Sequence, residues 1–590
     1  MKGNKNINGT GHFYLNAGIF FVLTFGFFAT AANYVLYFQE TRHLFIFSGD
    51  YLGQYLQRPG GPLEYIARFL TQFYASRIAG SLIVALILTL PTVILYGVNR
   101  KFNADNPFSI LLALIPGFLL IIMQTNYYHI LEYSLGYVII LLCYMLPASG
   151  CKHGNIFIII LFPLLYYLIG GFAFILLGLY IIHQFTMGEG SKKYILSLLL
   201  LLTAGASFLV FWKLIFLQPV QLFVLSPLPL LENRYYIAAF IVLTLYIICY
   251  PALFMFTARM KLNEARRKAF PFALLIVAFL ITVFAVSRIY NPQNARVVEL
   301  EKLVFREKWD KAIKLHEKKP SRNLIGQYFY NVALSETGQL CDRLFHGSQN
   351  FLAGALVLPW GDIHLDRGGY FYYSIGLINE AHRWAYEEMV VYGQRPQNIR
   401  MLAKTSLITG NYEMAHKYLD ILKQTIFYRR WAKRYEKLAD NPSLVAADPE
   451  LGEKVKLLPP NNFFIQFNEP QNNLPLILEG RPDNKKAIEY YLAGLLLTKK
   501  VELAVNNIKE LKSSGYDHIP KHLEEAILIY YNSQKTFPDM GGLTIDRATL
   551  ARFDQYFAAY VANRQYPADV FKEKMREKFE DTFWYYFHFE

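Results

Sequence analysis

A stretch of some 20 apolar residues can satisfy its backbone in lipid only by coiling into a helix. The first 290 residues of this chain contain nine apolar runs of about that kind, some of them shorter. They lie at 13–36, 78–95, 108–123, 130–146, 156–169, 172–182, 194–215, 235–256 and 270–286. The sequence therefore predicts an all-α integral membrane protein that opens with a transmembrane bundle of about nine spans. Residues 291–590 instead carry the mixture of charged and apolar residues of a water-soluble helical protein. The overall averages, 54% hydrophobic and 18% charged, blend two compositions that must face different solvents. Residues 1–10 are polar and include Lys2 and Lys5, and the apolar run that follows is too long for a signal-peptide core, so it reads as an uncleaved first span.

The net charge of +14 would suit nucleic acid if it were clustered on one face, but its placement points elsewhere. Basic residues fill short loops between apolar runs: Arg100 and Lys101, Lys152, Lys192 and Lys193, then Arg259, Lys261, Arg266, Arg267 and Lys268. Such loops are orientation signals, and no nucleic-acid partner is expected. Residues 156–182 are long for one helix and short for two, and are interrupted by Pro163, Gly170 and Gly171. Two short crossings put every basic loop on the side of Lys2 and Lys5, whereas one crossing would strand the last two. Charge thus favours nine spans with a cytoplasmic N-terminus. The domain at 291–590 then lies on the far side of the membrane, which in a gram-negative bacterium is the periplasmic face of the inner membrane. Cys143 and Cys249 fall in apolar runs, Cys151 in a loop, and Cys341 alone in the soluble part, so the four cysteines build no disulfide framework or zinc set.

In the soluble half the apolar residues recur with helical spacing. Met401, Leu402 and Ala403, then Gly410, Tyr412, Ala415 and Leu419, make two helices around a turn, with the alanines allowing close approach. This hairpin resembles the tetratricopeptide repeat, and Leu492, Ala493, Ala504 and Ile508 look like a second, shorter-spaced copy. Looser helical pairs are expected near 328–345 and 373–391. Single hairpins cannot bury their apolar faces, so the resemblance implies a stacked, tetratricopeptide-like α-solenoid, a fold that commonly binds a protein partner. In the turn at 359–369, Asp362, His364 and Asp366 could ligate a metal, although a capped turn next to Trp360 and Arg367 explains them as well.

Chemistry is expected at the outer face of the bundle. The loop at 39–77 is the longest between spans and holds Glu40, Arg42, His43, Asp50, Arg58 and Glu64. Arg58 opens a rigid Pro-Gly-Gly-Pro turn, with Pro62 suited to the first turn of a helix. Leu63, Ile66, Phe69, Leu70 and Phe73 then recur at helical spacing, with Glu64, Arg68 and Gln72 elsewhere on the wheel, which predicts an amphipathic helix along the membrane surface. On the same side fall Tyr127, Tyr128 and His129, with Glu132 one turn into a span, Lys213 inside another, and Arg234 and Arg288 at span ends. Ionisable residues in spans are costly and point to function. Outer cations suit a lipid phosphate or pyrophosphate.

Many spans, a long first outer loop with acids and a surface helix, and a helical C-terminal domain together resemble the GT-C glycosyltransferases. That resemblance implies a sugar donor linked to polyprenyl phosphate, with Asp50 (Glu40 second) as catalytic base. Arg288, Lys213 and Arg234 would hold the carrier phosphate, beside His129, Glu132 and Arg58, and a divalent cation is allowed as cofactor. The stretch 39–73, with its acids, its Pro-Gly-Gly turn and its aromatic-rich helix, also resembles a family of uncharacterised bacterial inner-membrane proteins. Two other function classes fit the sequence. One is a membrane-anchored scaffold whose helical repeats recruit a partner in envelope assembly or secretion. The other is a transporter, suggested by the break at Gly170 and Gly171. Singly, each residue also has a plain structural role: Asp50 can cap a turn, Lys213 can snorkel, and Arg288 can anchor the last span.

Overall fold

The computed structural model describes residues 5–102, 106–148, 154–188, 190–216, 219–220, 223, 226–228, 234–260, 263–361, 363–461, 465–466 and 470–590. Lys2, Cys151, Lys152, Lys261 and Asp362 lie outside the described residues, as do the side chains of Lys5, Arg234, Arg266, Arg267 and Lys268. The described residues form helices and no strand. The chain divides into two compact units, Met1–Asn291 with Gln424–Phe427, and Pro292–Lys423 with Tyr428–Glu590. This division falls within a residue or so of the point where the composition changes.

The first unit contains α1 (Lys5–Ala29), α2 (Asn33–Thr41), α3 (Gly49–Leu56), α4 (Gly61–Thr71), α5 (Arg77–Lys101) and α6 (Ser109–Gln124). After them come α7 (Leu131–Ala148), α8 (Gly154–Ile169), α9 (Phe172–Met187), α10 (Lys192–Val210), α11 (Arg234–Ala258) and α12 (Glu264–Ile289). All nine apolar runs are helical. Among the described residues, five stretches are long and apolar enough to cross a membrane, within α5, α7, α10 with its continuation to Phe216, α11 and α12. The pair α1 and α2, bent by 65°, counts as a sixth if the two helices form one broken span. The remaining three, α6, α8 and α9, have 16 residues each. At 1.5 Å per residue they extend about 24 Å, less than the roughly 30 Å of a hydrocarbon core. The expected nine spans therefore correspond to five or six full-length helices and three short ones.

The core of this unit is built around α5, which packs against α1, α6 and α7, while α9 packs between α7 and α11. Leu88, Leu95 and Val98 of α5 are fully buried, whereas α12 turns Phe272, Leu280, Ile281 and Phe284 outward, as a lipid-facing helix must. Polar groups inside the bundle are tied across helices: Tyr250 donates to Asn99 Oδ1 at 2.7 Å, and Asn106 to the Phe254 carbonyl at 2.9 Å.

Two glycines fix the entrance to α4. Gly60 (φ +81°) donates its N–H to the Tyr167 carbonyl at 2.9 Å, and Gly170 (φ +55°) breaks α8 from α9. A Cβ at Gly60 would stand 2.7 Å from Pro227 Cδ, and one at Gly170 would stand 2.3 Å from the Ser226 carbonyl oxygen. Neither the left-handed backbone nor the close approach tolerates a side chain, so these turns clamp the start of α4 to the bundle.

The second unit consists of consecutive packed helices. Pro396–Ile408 lies against Ile378–Tyr392 on one side and Tyr412–Lys423 on the other, and the latter packs on Arg429–Asp440. Ala403 and Ala415, predicted as the close-approach residues, are fully buried, as are Ala493, Ala504 and Ile508. The pairs expected near 328–345 and 373–391 occur as Leu324–Glu336 with Leu340–Arg343, and Gly369–Ser374 with Ile378–Tyr392.

Candidate functional site

The segment between α2 and α5 organises the site. Ser48 caps α3 by accepting from Tyr51 N–H at 3.1 Å, and α4 starts with Pro62 in its first turn, as the sequence predicts. The helix then departs from the expected membrane-surface arrangement. It packs against α7 and α8, with Leu63, Glu64 and Ala67 on its buried face, while Ile66 remains 47% exposed. A carboxylate goes into a bundle only if its charge is matched, and Glu64 is matched twice. Arg68, one turn on, donates Nη2 to Glu64 Oε1 at 2.8 Å and Nε to the same oxygen at 3.1 Å. Arg58, from the turn before α4, pairs with the other oxygen, Oε2. Burial disfavours the charge on Arg68, but the Glu64 carboxylate more than offsets this and raises its pKa above the usual guanidinium range.

Facing this pair is Glu132, in the first turn of α7 and only 7% exposed. It lines a small cleft with Gln39, His43, Arg68, Thr71 and Gln72. The cleft has a volume of about 30 Å³, room for one or two waters. Arg68 also uses only Nε and Nη2 on Glu64, which leaves its Nη1 edge. The cleft thus brings a second acid, a guanidinium edge and several amide groups to the end of an apolar helix.

The turn between α6 and α7 is latched rather than mobile. Gln39 Nε2 donates to the His129 carbonyl at 2.7 Å and to the Tyr127 carbonyl at 3.2 Å, and Gln124 Nε2 also reaches the His129 carbonyl at 3.2 Å. The imidazole of His129 is fully buried, with Nε2 2.9 Å from Ser134 Oγ. Burial pushes its pKa down to about 3, so the ring is neutral at physiological pH and contributes no positive charge for a phosphate. On the other flank, Tyr51, Tyr55, Tyr65, Phe45 and Phe69 form an edge-to-face aromatic cluster, with Tyr55 donating to Tyr51 at 2.9 Å. Burial raises the pKa of both phenols, which therefore stay protonated.

Of the residues the sequence marks, the structure gathers Arg58 and Glu132 around Glu64 and Arg68, with His129 in the adjoining turn. Asp50, Glu40, Lys213 and Arg288 are not among the residues that line the cleft. Asp50 is exposed in the first turn of α3, and Glu40 is buried in α2. Lys213 is exposed and rests over the Trp212 ring at 3.8 Å, and Arg288 is exposed in the last turn of α12. The side chain of Arg234 lies outside the described residues. Sequence reasoning missed Glu64 and Arg68 as buried partners and gave Gln39 no role. The spacing of Glu64 and Arg68, one helical turn apart beside Leu63 and Ala67, was the available signal.

A divalent cation does not fit this cluster: it offers two carboxylates, and both stand beside guanidinium groups that repel a cation. Among the described residues no group of three His, Cys, Asp or Glu side chains could hold a metal. In the turn at 359–369, Asp366 pairs with Arg367 at 2.8 Å, and Arg367 with Glu301 at 3.3 Å, so Asp366 serves an ion-pair chain.

The chain belongs to a family of unknown function, DUF6057, whose match covers residues 10–590 and so takes in both units. No curated protein and no solved structure matches it.

Proposed function

We propose that this protein is a membrane glycosyltransferase of GT-C-like architecture that takes a sugar from a polyprenyl-phosphate carrier at the cleft beside Glu132. The observation that carries the reading is a buried carboxylate in the first turn of an apolar helix, facing a polar cleft next to two arginines. In this reading Glu132 accepts the proton of the acceptor hydroxyl as that oxygen attacks the anomeric carbon. The bond from that carbon to the carrier phosphate breaks, and Arg68 with Arg58 stabilises the charge on the departing lipid phosphate. The aromatic cluster of Tyr51, Tyr55 and Tyr65 offers stacking surface for the sugar. The cleft as it stands has room only for one or two waters, so it must widen before a headgroup can enter. Asp50, with Glu40 second, is the competing base, and Lys213, Arg234 and Arg288 are competing phosphate ligands. The basic loops support nine crossings, a cytoplasmic N-terminus and a periplasmic C-terminal domain in a bacterial inner membrane.

The test is native mass spectrometry on protein drawn gently from its own membrane. A bound polyprenyl phosphate or sugar-linked carrier is expected, lost in Arg68→Ala and kept in Glu132→Gln, which abolishes only transfer. Bulk phospholipid alone, equal in wild type and Arg68→Ala, would overturn the reading. A second reading is favoured by the stacked helices of the second unit: a tetratricopeptide-like solenoid that recruits a periplasmic partner to a membrane scaffold. A stoichiometric protein in the same preparation, with no bound carrier, would move the weight there.

A further inference from the structure

A cavity of about 600 Å³ opens within the second unit, in the size range of small-molecule sites. Acidic and basic side chains both line it, but they are not equally engaged. Glu317 accepts from Arg343 Nε at 3.0 Å, Asp581 from Arg552 at 2.6 Å, Glu580 from Arg576 at 3.1 Å, and Glu590 pairs with Lys572 at 3.0 Å. Every lining carboxylate therefore already has a cation. Among the described residues, no carboxylate pairs in this way with Arg296, Lys319 or Arg322, which line the same cavity. Arg296 gives Nε to the Pro292 carbonyl at 3.3 Å, while its Nη1 is buried without a hydrogen-bond partner.

Two further polar groups in the wall are unsatisfied. Tyr585 is 2% exposed, yet its hydroxyl has no partner. Nε2 of His346 has none either, the nearest carboxylate being Asp581 at 3.9 Å. Burial, then the neighbouring His522 and Lys521, push the His346 pKa down to about 4, so the ring is neutral and adds a hydrogen-bonding edge rather than a charge. Buried polar atoms left without partners, on Arg296, Tyr585 and His346, are costly in an empty protein, and among the described residues no carboxylate offsets the exposed charges of Lys319 and Arg322 beside them. A ligand that brings negative charge and acceptors relieves both.

We infer that this cavity binds a small organic anion, a phosphate ester or carboxylate of monosaccharide to disaccharide size, held by Arg296, Lys319 and Arg322 and hydrogen-bonded by Tyr585 and His346. The inference is independent of the transfer reading, since all these residues belong to the second unit.

Isothermal titration calorimetry on the full chain in detergent tests it, with glucose 6-phosphate, glucuronate and neutral glucose as probes. At least one anionic probe should bind, more weakly as salt is raised, and glucose should not. The tighter of the two anions identifies phosphate or carboxylate as the recognised group. Arg296→Gln and Arg322→Gln should each weaken binding about tenfold, and Tyr585→Phe by about threefold. Arg322 is exposed, so Arg322→Gln should melt with the wild type, which separates lost binding from lost folding. Wild-type protein that binds neither anion, or binds glucose as tightly, would overturn the inference. So would unchanged affinity in both arginine variants.

Discussion

Each unit buries a cluster of charges, and the two clusters are balanced differently. In the second unit Glu336 accepts from Lys454 at 2.9 Å and from Lys486 at 2.7 Å, and Lys486 also reaches Glu453 at 2.8 Å. Beside it Lys404 bridges to Glu450 at 2.6 Å and also to Glu307. These lysines are buried and the Glu336 side chain is only 9% exposed, and each charge has an opposite partner within hydrogen-bond reach. In the first unit Glu64 is held by Arg58 and Arg68, but Glu132 stands beside the pair, facing a cleft. A matched buried cluster holds a fold together even where it borders a cleft, as Glu336, Lys404 and Glu450 do, whereas an acid left without an ion pair is a group available for binding or proton transfer. The difference separates structural charge from candidate functional charge within one chain.

The largest effect is expected at Glu336. Replacing it with Leu leaves Lys454 and Lys486 buried without their shared partner and should cost about 4 kcal/mol of stability in the second unit, read by chemical denaturation of the full chain. An unchanged midpoint would mean that this cluster is not the structural one. Arg68→Ala should come next, at about 2 kcal/mol, because Glu64 keeps Arg58. Its loss should appear as faster proteolysis of the α3–α4 hairpin, together with loss of bound carrier.

Titration sharpens the same contrast. Burial tends to raise the Glu336 pKa, but Lys454 and Lys486 outweigh it and bring the carboxyl from 4.5 down to about 2. The group is depressed in the folded state, so between those values the unfolded chain binds more protons. Its contribution is therefore complete above about pH 4.5 and is lost as pH falls toward about 2. The second unit should lose stability across that window in the wild type, and Glu336→Gln should lose less.

Glu132→Gln should change stability by no more than about 1 kcal/mol, because no ion pair is removed, while abolishing sugar transfer in a reconstituted assay. Asp50→Ala should be the mildest, within about 0.5 kcal/mol and active, since Asp50 is exposed and does not line the cleft. Inactive Asp50→Ala with active Glu132→Gln would reverse the assignment.

The apolar runs, the boundary near residue 290, the helical start at Pro62 and the close-packed alanines at 403 and 415 could all be read from the sequence. They depend on composition and on local periodicity, which lipid and water each sort strongly. Glu132 was legible too, as an acid inside an apolar run. The burial of Glu64 was not, because the wheel of α4 alone places it beside the polar residues, and only α7 and α8 close over it. The three short helices α6, α8 and α9 were legible as short apolar runs, the last two parted at Gly170 and Gly171. The second unit's cavity was hidden, like the burial of Glu64, its arginines being drawn from positions near 296 and 322 and its tyrosine from 585.

The sequence by itself determined which parts of this protein are apolar enough for lipid and which carry the charge that suits water, because transfer free energy accumulates residue by residue along a run. Tertiary structure alone decided which charges are neutralised. Ion pairing depends on distances between residues far apart in the chain, such as Glu336 and Lys486, and on turns such as Gly60 against Tyr167 that exist only once the helices have packed.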